Sequence, residues 1–230
     1  WLENATDGPH FATNARHSDD CSHNALDDGV WVDDQLWAVV NGVATENQSL
    51  SIKTWLDNRT VDYEAQPTRW SSKGGDANPV AKERYAETWF GRLGLGDVLM
   101  RYNNFSEPDF GLTLLRRIAN AFVGTENIME SYTMAGTVGT DAGTDYLEHC
   151  AGFVWALVDG PLGVNFDSDA EAAATISPQL SQSWAEASAY LVVRGVNVSV
   201  HISQAGKTTL NSVSGGVGAG KTVKLRLVEG

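Results

Sequence analysis

The feature that most constrains this chain is a change of hydrophobic period along it. Val196, Val198, Val200 and Ile202 alternate with Asn197, Ser199 and His201, the pattern of a strand with one buried face. Upstream, apolar residues recur every three to four positions, as in Phe110, Leu114, Leu115, Ile118 and Phe122, the pattern of an amphipathic helix. Residues 189–193, 196–202, 208–213 and 222–228 read as short strands with turns between them. Helices grouped first and strands grouped last argue against an alternating parallel α/β fold. They predict a mainly α unit over residues 1–165 and a small antiparallel β domain over 166–230.

Within the first unit, Val30, Trp31, Leu36, Trp37, Val40 and Val43 share one face of a helix over 30–43, and Asp33 and Asp34 suit its start. Residues 45–76 are polar, carry the breakers Pro67, Gly74 and Gly75, and read as irregular. Pro79 opens a helical stretch with Tyr85, Trp89, Phe90, Leu93, Val98 and Leu99, weakened by Gly91, Gly94 and Gly96. Pro108 opens the next helix. Residues 144–158 form the last long one, stopped by Asp159, Gly160 and Pro161. Residues 1–28 lack periodicity, are rich in Asp, Asn, His and Ser, and read as a long surface loop.

The formal charge of −13 argues against a nucleic-acid partner, because that affinity comes from Lys and Arg on phosphates. A neutral ligand such as a sugar suits it. The eight Trp residues offer broad apolar faces that serve equally as core and as sugar platforms. No run of about 18 apolar residues is present, so no membrane span is expected.

Asn4, Asn47, Asn58, Asn104 and Asn197 each begin an Asn-x-Ser/Thr triplet, the acceptor pattern for N-glycosylation, and imply a secreted, extracellular protein. Cys21 and Cys150 fit one disulfide in that setting. Two buried thiols, or a bond to a separate chain, fit the same count. The chain opens on Trp1 without a basic and apolar leader, and a mature or cleaved product is expected.

The richest chemistry lies between Glu130 and Trp155. Glu130 and Tyr132 precede a loop carrying Gly136, Gly139 and Gly143; Tyr146 and Glu148 then lead into the apolar run Ala151, Gly152, Phe153, Val154, Trp155. A carboxylate before a flexible loop and a packed helix can activate water at a pocket rim. A solvated carboxylate at a helix end fits the same residues. The stretch resembles the last catalytic motif of six-hairpin (α/α)6 glycosidases, the trehalases and processing α-glucosidases in particular. There a Glu, one residue and a Tyr open a Gly-rich loop, and a helix with Gly, aromatic and Trp residues follows. Gly152, Phe153 and Trp155 match that helix; Asp145, Glu148 and Val154 depart from the pattern. The stretch from Ile176 and Pro178 through Trp184 to the strands also resembles the small β cap of maltose- and trehalose-type phosphorylases.

The resemblance implies the C-terminal portion of an (α/α)6 toroid followed by a small antiparallel β domain. It implies an inverting glycosidase with Glu130 as general base. Tyr132, Trp31, Asp145 and Glu148 would be substrate-binding, and no cofactor is expected. The general acid is expected on a separate N-terminal chain of the same precursor, with Asp33 or Asp34 as the fallback. A base carboxylate needs polar surroundings, and its acid needs burial or a like charge to stay protonated. A six-hairpin toroid has twelve helices, or roughly 300 residues at ordinary helix and loop lengths. The chain, with about five long helical segments, cannot close one alone. A sugar phosphorylase of the same fold and a non-catalytic carbohydrate-binding or structural subunit are the alternatives.

Other motifs are weaker. Residues 215–222 match the P-loop pattern, but Val223, Leu225 and Leu227 continue as a strand, where phosphate binding needs a helix N-terminus. His10, His17, Cys21 and His23 lie close together without the spacing of a closed zinc site, and no metal is expected. Asp27, Asp28, Asp33 and Asp34 surround Trp31 and fit either helix capping or a sugar subsite. That run also resembles a helix start in sugar phosphorylases. Asp76 reads as an N-cap; it loosely resembles an acid-bearing loop of cellobiose-type phosphorylases, except that Pro79 replaces the acidic residue.

Overall fold

A computed structural model of the chain describes residues 3, 9, 11, 32–58, 88–133, 137–138, 142–166, 174–193, 195–203, 208–212 and 225–227. Helix α1, Val32–Val40, buries Val32, Gln35, Leu36 and Val39, a spacing that places them on one stripe. Asp33 and Asp34 stand in its first turn, where the helix dipole favours acidic groups. The helix stops at Gly42, whose φ of 68° suits a residue without Cβ. The Gly42 N–H donates to the Val39 carbonyl at 3.0 Å and the Val43 N–H to the Ala38 carbonyl at 2.9 Å, the paired bonds of a Schellman stop. Val43, expected on the helix, lies beyond it and is exposed.

Helix α2, Glu46–Asp57, corrects the expectation of an irregular stretch from 45 onward. Thr45 Oγ accepts the Gln48 N–H at 3.4 Å, and the Thr45 N–H donates to Gln48 Oε1 at 2.9 Å. That capping box starts the helix. Only Ile52 and Leu56 among its large apolar residues are fully buried, so the period was thin and the Thr45–Gln48 pair was the available signal. Residues 59–76 of that stretch lie outside the described residues.

Strands β1, Thr88–Phe90, and β2, Ser131–Thr133, pair antiparallel with Trp89 opposite Tyr132. Helix α3 follows at once, Gly91–Asn103. The helix expected from Pro79 is therefore extended at Trp89 and Phe90, because β2 offers a backbone partner there. Helix α3 buries Leu95, Val98, Leu99, Met100 and Tyr102. Around it pack α1, helix α4 (Pro108–Gly124) and helix α5 (Leu147–Asp159). Helix α4 starts on Pro108 and buries Leu114, Leu115 and Ile118 of the expected stripe, with Leu112 buried beside them and Phe110 and Phe122 half-buried.

A second cluster of buried apolar side chains forms around Leu162, Val164, Ile176, Val193, Val198, Val200 and Ile202. Strands β5 (Glu186–Val193), β6 (Val196–Ser203) and β7 (Thr208–Ser212) form an antiparallel meander in the order β5-β6-β7. The valines of β6 and Ile202 face inward in strict alternation. A second sheet has the order β3-β4-β8, from Val164–Asn165, Ala174–Ile176 and Leu225–Leu227. Here β8 runs parallel to β4, with Ile176 opposite Leu227. The expectation of a wholly antiparallel β unit is thus corrected. Alternation fixes which face a residue takes; it does not fix the strand's partner or direction. Among the described residues the fold is five helices and small, mostly antiparallel sheets.

Helix α5 joins both clusters: Phe153 and Leu157 pack on the helical core, and Val158 packs on the second. Asp109 Oδ1 accepts the Ser181 hydroxyl at 2.6 Å and the Gln182 N–H at 2.7 Å, tying the segment after β4 to the start of α4.

A ring of charges closes the other side of the helical core. Arg101, 1% exposed, donates from Nε to Asp97 at 2.9 Å and from Nη1 to Asp57 and Glu107 at 2.8 Å each. Lys53 Nζ reaches the same Asp57 at 2.6 Å and Glu107 at 2.8 Å. Burial pulls the Lys53 ammonium down, but the bonds to Asp57 and Glu107 outweigh it and the net shift is upward. The Phe110 ring lies 4.5 Å from the Arg101 guanidinium carbon. The ends of α2, α3 and α4 are locked together by these contacts.

Candidate functional site

Glu130 sits immediately before β2. Its N–H donates to the Gly143 carbonyl at 2.9 Å, and the Gly143 N–H donates back to Glu130 Oε2 at 3.2 Å. The Tyr146 N–H donates to the Ile128 carbonyl at 2.9 Å. Residues 143–146 therefore return antiparallel beside 128–130, forming a clamp. Asn127 fixes the base of the clamp: its Oδ1 accepts the Ile128 N–H at 2.7 Å and the Asp145 N–H at 3.1 Å. Asp145 takes a φ of 53° there. This pairing also explains why α5 begins at Leu147 and not at 144: residues up to Tyr146 are held in the clamp.

Tyr132 stands behind Glu130. Its ring is fully buried and packs on Phe122 at 6.1 Å between ring centres. Its hydroxyl accepts the Met129 N–H at 3.0 Å and donates to the Asn127 carbonyl at 3.3 Å. The ring has no exposed surface and supports the clamp from inside.

His149, which the sequence did not single out, completes this support. It is fully buried, and Nδ1 lies 3.1 Å from the Met129 carbonyl. A carbonyl only accepts, so Nδ1 carries the hydrogen. The backbone of Met129 is thus held at its N–H by Tyr132 and at its carbonyl by His149, one residue before Glu130. The signal was present in the spacing: His149 lies two residues into α5, where a side chain can turn back on the clamp.

Asp145 and Glu148 are exposed beside the clamp. Asp33 is half-buried and Asp34 exposed on α1. Cys150 is exposed on α5. Trp31, Cys21 and Asn4 lie outside the described residues, as do Asp27, Asp28, Asp76, the cluster of His10, His17 and His23, and the glycine-rich stretch 215–222. Asn47, Asn58 and Asn104 are exposed, and Asn197 is half-buried within β6. Asn104 lies in a turn and Asn58 caps α2, whereas the Asn47 triplet is inside α2 with Ser49 buried.

Hollows among the described residues include the following two. One, of about 400 Å³, lies between α5 and the β3 segment; the other, of about 430 Å³, runs along 183–188. Glu130 lines neither. No group of three or more His, Cys, Asp and Glu side chains is arranged to hold a metal ion among the described residues. No described helix is long and apolar enough to cross a membrane. Among known proteins, no family model matches the chain and no curated relative matches it.

Proposed function

We propose that this chain is part of a secreted glycoside hydrolase that cleaves with inversion, with Glu130 as general base. Its helices would form part of a six-hairpin toroid completed by an N-terminal chain of the same precursor. The observation that carries this reading is the mounting of Glu130: a carboxylate aimed by the Gly143 N–H, on backbone pinned by Tyr132 and His149, at the mouth of a glycine-bearing loop. Catalytic groups need such fixed support.

In the reaction, Glu130 takes a proton from water, and the water oxygen bonds to the anomeric carbon as the glycosidic C–O bond breaks. A second carboxylic acid gives its proton to the leaving oxygen. The two carboxyls stand about 6.5–9.5 Å apart to admit the water. The partner chain supplies the acid, with Asp33 or Asp34 the candidates on this chain. Asp145 and Glu148, exposed beside the clamp, would accept sugar hydroxyl hydrogens.

The test is Glu130→Gln in the assembled enzyme, with the anomer of the first product read by NMR. A drop of about 100-fold or more with an inverted product supports the reading. Turnover within about tenfold of wild type removes Glu130 as base. A second reading, a non-catalytic carbohydrate-binding subunit, is favoured by the open aromatic rings of Trp155 and Phe166 beside a hollow. A sugar phosphorylase would release sugar only when phosphate is supplied.

A further inference from the structure

The hollow between α5 and the β3 segment has a floor and a wall of different chemistry. Ala151, Val154, Trp155 and Val158 line it at helical spacing from α5, and Val164, Asn165 and Phe166 line it from the β3 side. Its volume of about 400 Å³ falls in the range of small-molecule sites. Two aromatic rings stand open at it, Trp155 at 45% exposure and Phe166 at 55%. Exposed aromatic rings beside an apolar hollow are unusual on a surface with no partner to cover them.

Trp155 is held, not loose. Trp37 stacks on it, with centres 5.7 Å apart and planes 11° from parallel. Its Nε1–H donates to Asp159 Oδ2 at 3.2 Å. Asn103 Nδ2 donates to the same oxygen at 3.3 Å. Both donors use Oδ2, so Oδ1 of Asp159 is left as an acceptor at the edge of the hollow. Asn165, exposed on the opposite wall, offers a donor and an acceptor.

A fixed indole, a carboxylate acceptor and an amide at its rim match a ring with one apolar face and a polar edge. We propose that this hollow is a binding site for a neutral hydroxylated ring compound, of the pyranose class, with Trp155 as platform and Asp159 and Asn165 taking its hydroxyls. The formal charge of −13 and the Asp159 carboxylate disfavour anions. A cation would be drawn to Asp159 and the indole, but it would leave the Asn165 amide hydrogens unused. The site does not depend on Glu130, which does not line it.

The experiment is a titration of the full chain with maltose and, separately, with tetramethylammonium, read by tryptophan fluorescence and by saturation-transfer NMR of the ligand. Saturable maltose binding is expected, weakened about tenfold or more by Trp155→Ala. Ala151→Phe fills the hollow while leaving Trp155 in place, and is expected to abolish binding with unchanged circular dichroism. Absence of saturable maltose binding, unchanged binding in Ala151→Phe, or tighter binding of tetramethylammonium than of maltose would each overturn the proposal. None of these outcomes bears on turnover, so the glycosidase reading stands or falls separately.

Discussion

Arg101 and Asp97 form an ion pair at 2.9 Å in which neither side chain is more than 1% exposed. They lie four residues apart on α3, so the helix itself sets their approach. Arg101 then carries the reach of the ring to Asp57 and Glu107, which are partly exposed. Arg101→Met leaves Asp97 charged and buried with its guanidinium gone. The expected loss is about 3–5 kcal/mol, read by urea denaturation. Lys53→Met, half-buried and paired with the part-exposed Asp57 and Glu107, is expected to cost less, about 1 kcal/mol. Equal costs for the two variants would contradict this account of the ring.

Tyr132→Phe tests the support behind Glu130. The ring stays, but the buried Met129 N–H loses its acceptor. A cost of about 1–3 kcal/mol is expected. Hydrogen exchange at the Met129 amide should speed up in the folded state; an unchanged exchange rate would show that the hydroxyl does not hold it.

Tyr102 presents the opposite case. It is fully buried between α4 and the end of α5, and its hydroxyl has no hydrogen-bond partner among the described residues. Burial raises the phenol well above its ordinary range, with Asp109 adding to the rise and Arg116 opposing it. Tyr102→Phe is therefore expected to be neutral or mildly stabilising. Gly111→Ala should act the other way, because a Cβ there would stand 2.5 Å from the Tyr102 ring. About 1–3 kcal/mol of destabilisation is expected from that overpacking. Thermal melts of the two variants check both signs.

Asp159 supplies a pH dependence. Burial raises its carboxyl above the ordinary value, against the opposing hydrogen bonds from Trp155 and Asn103. The folded chain thus keeps this proton at pH values where the unfolded chain has released it. The stability that the group contributes is present below the unfolded value, near pH 4, and is lost as pH rises through the folded one. Asp159→Asn keeps an acceptor for Trp155 and removes the ionisation. It is expected to melt higher than wild type at neutral pH, with the advantage vanishing below about pH 4. A lower melting point at neutral pH would reverse the sign.

The sequence by itself determined α4 and β6. Their apolar residues repeat at 3.6 or at 2, and each buries one stripe or one face, so local spacing carried the signal. It also marked Glu130 as an acid at the mouth of a glycine-bearing loop. Only the tertiary structure decided the rest. Helix α2 buries too few large apolar residues to show its period, and only the packing of the helices puts Ile52 and Leu56 in the core. Trp89 and Phe90 left the helical pattern because β2, more than forty residues on, offered them a partner. Strand β8 aligned parallel to β4 because backbone pairing is set by what lies alongside it. His149 reached the Met129 carbonyl for the same reason: a bond across twenty residues follows from the packing of α5 on α3, whereas the Tyr132 hydroxyl meets the Met129 N–H only three residues away.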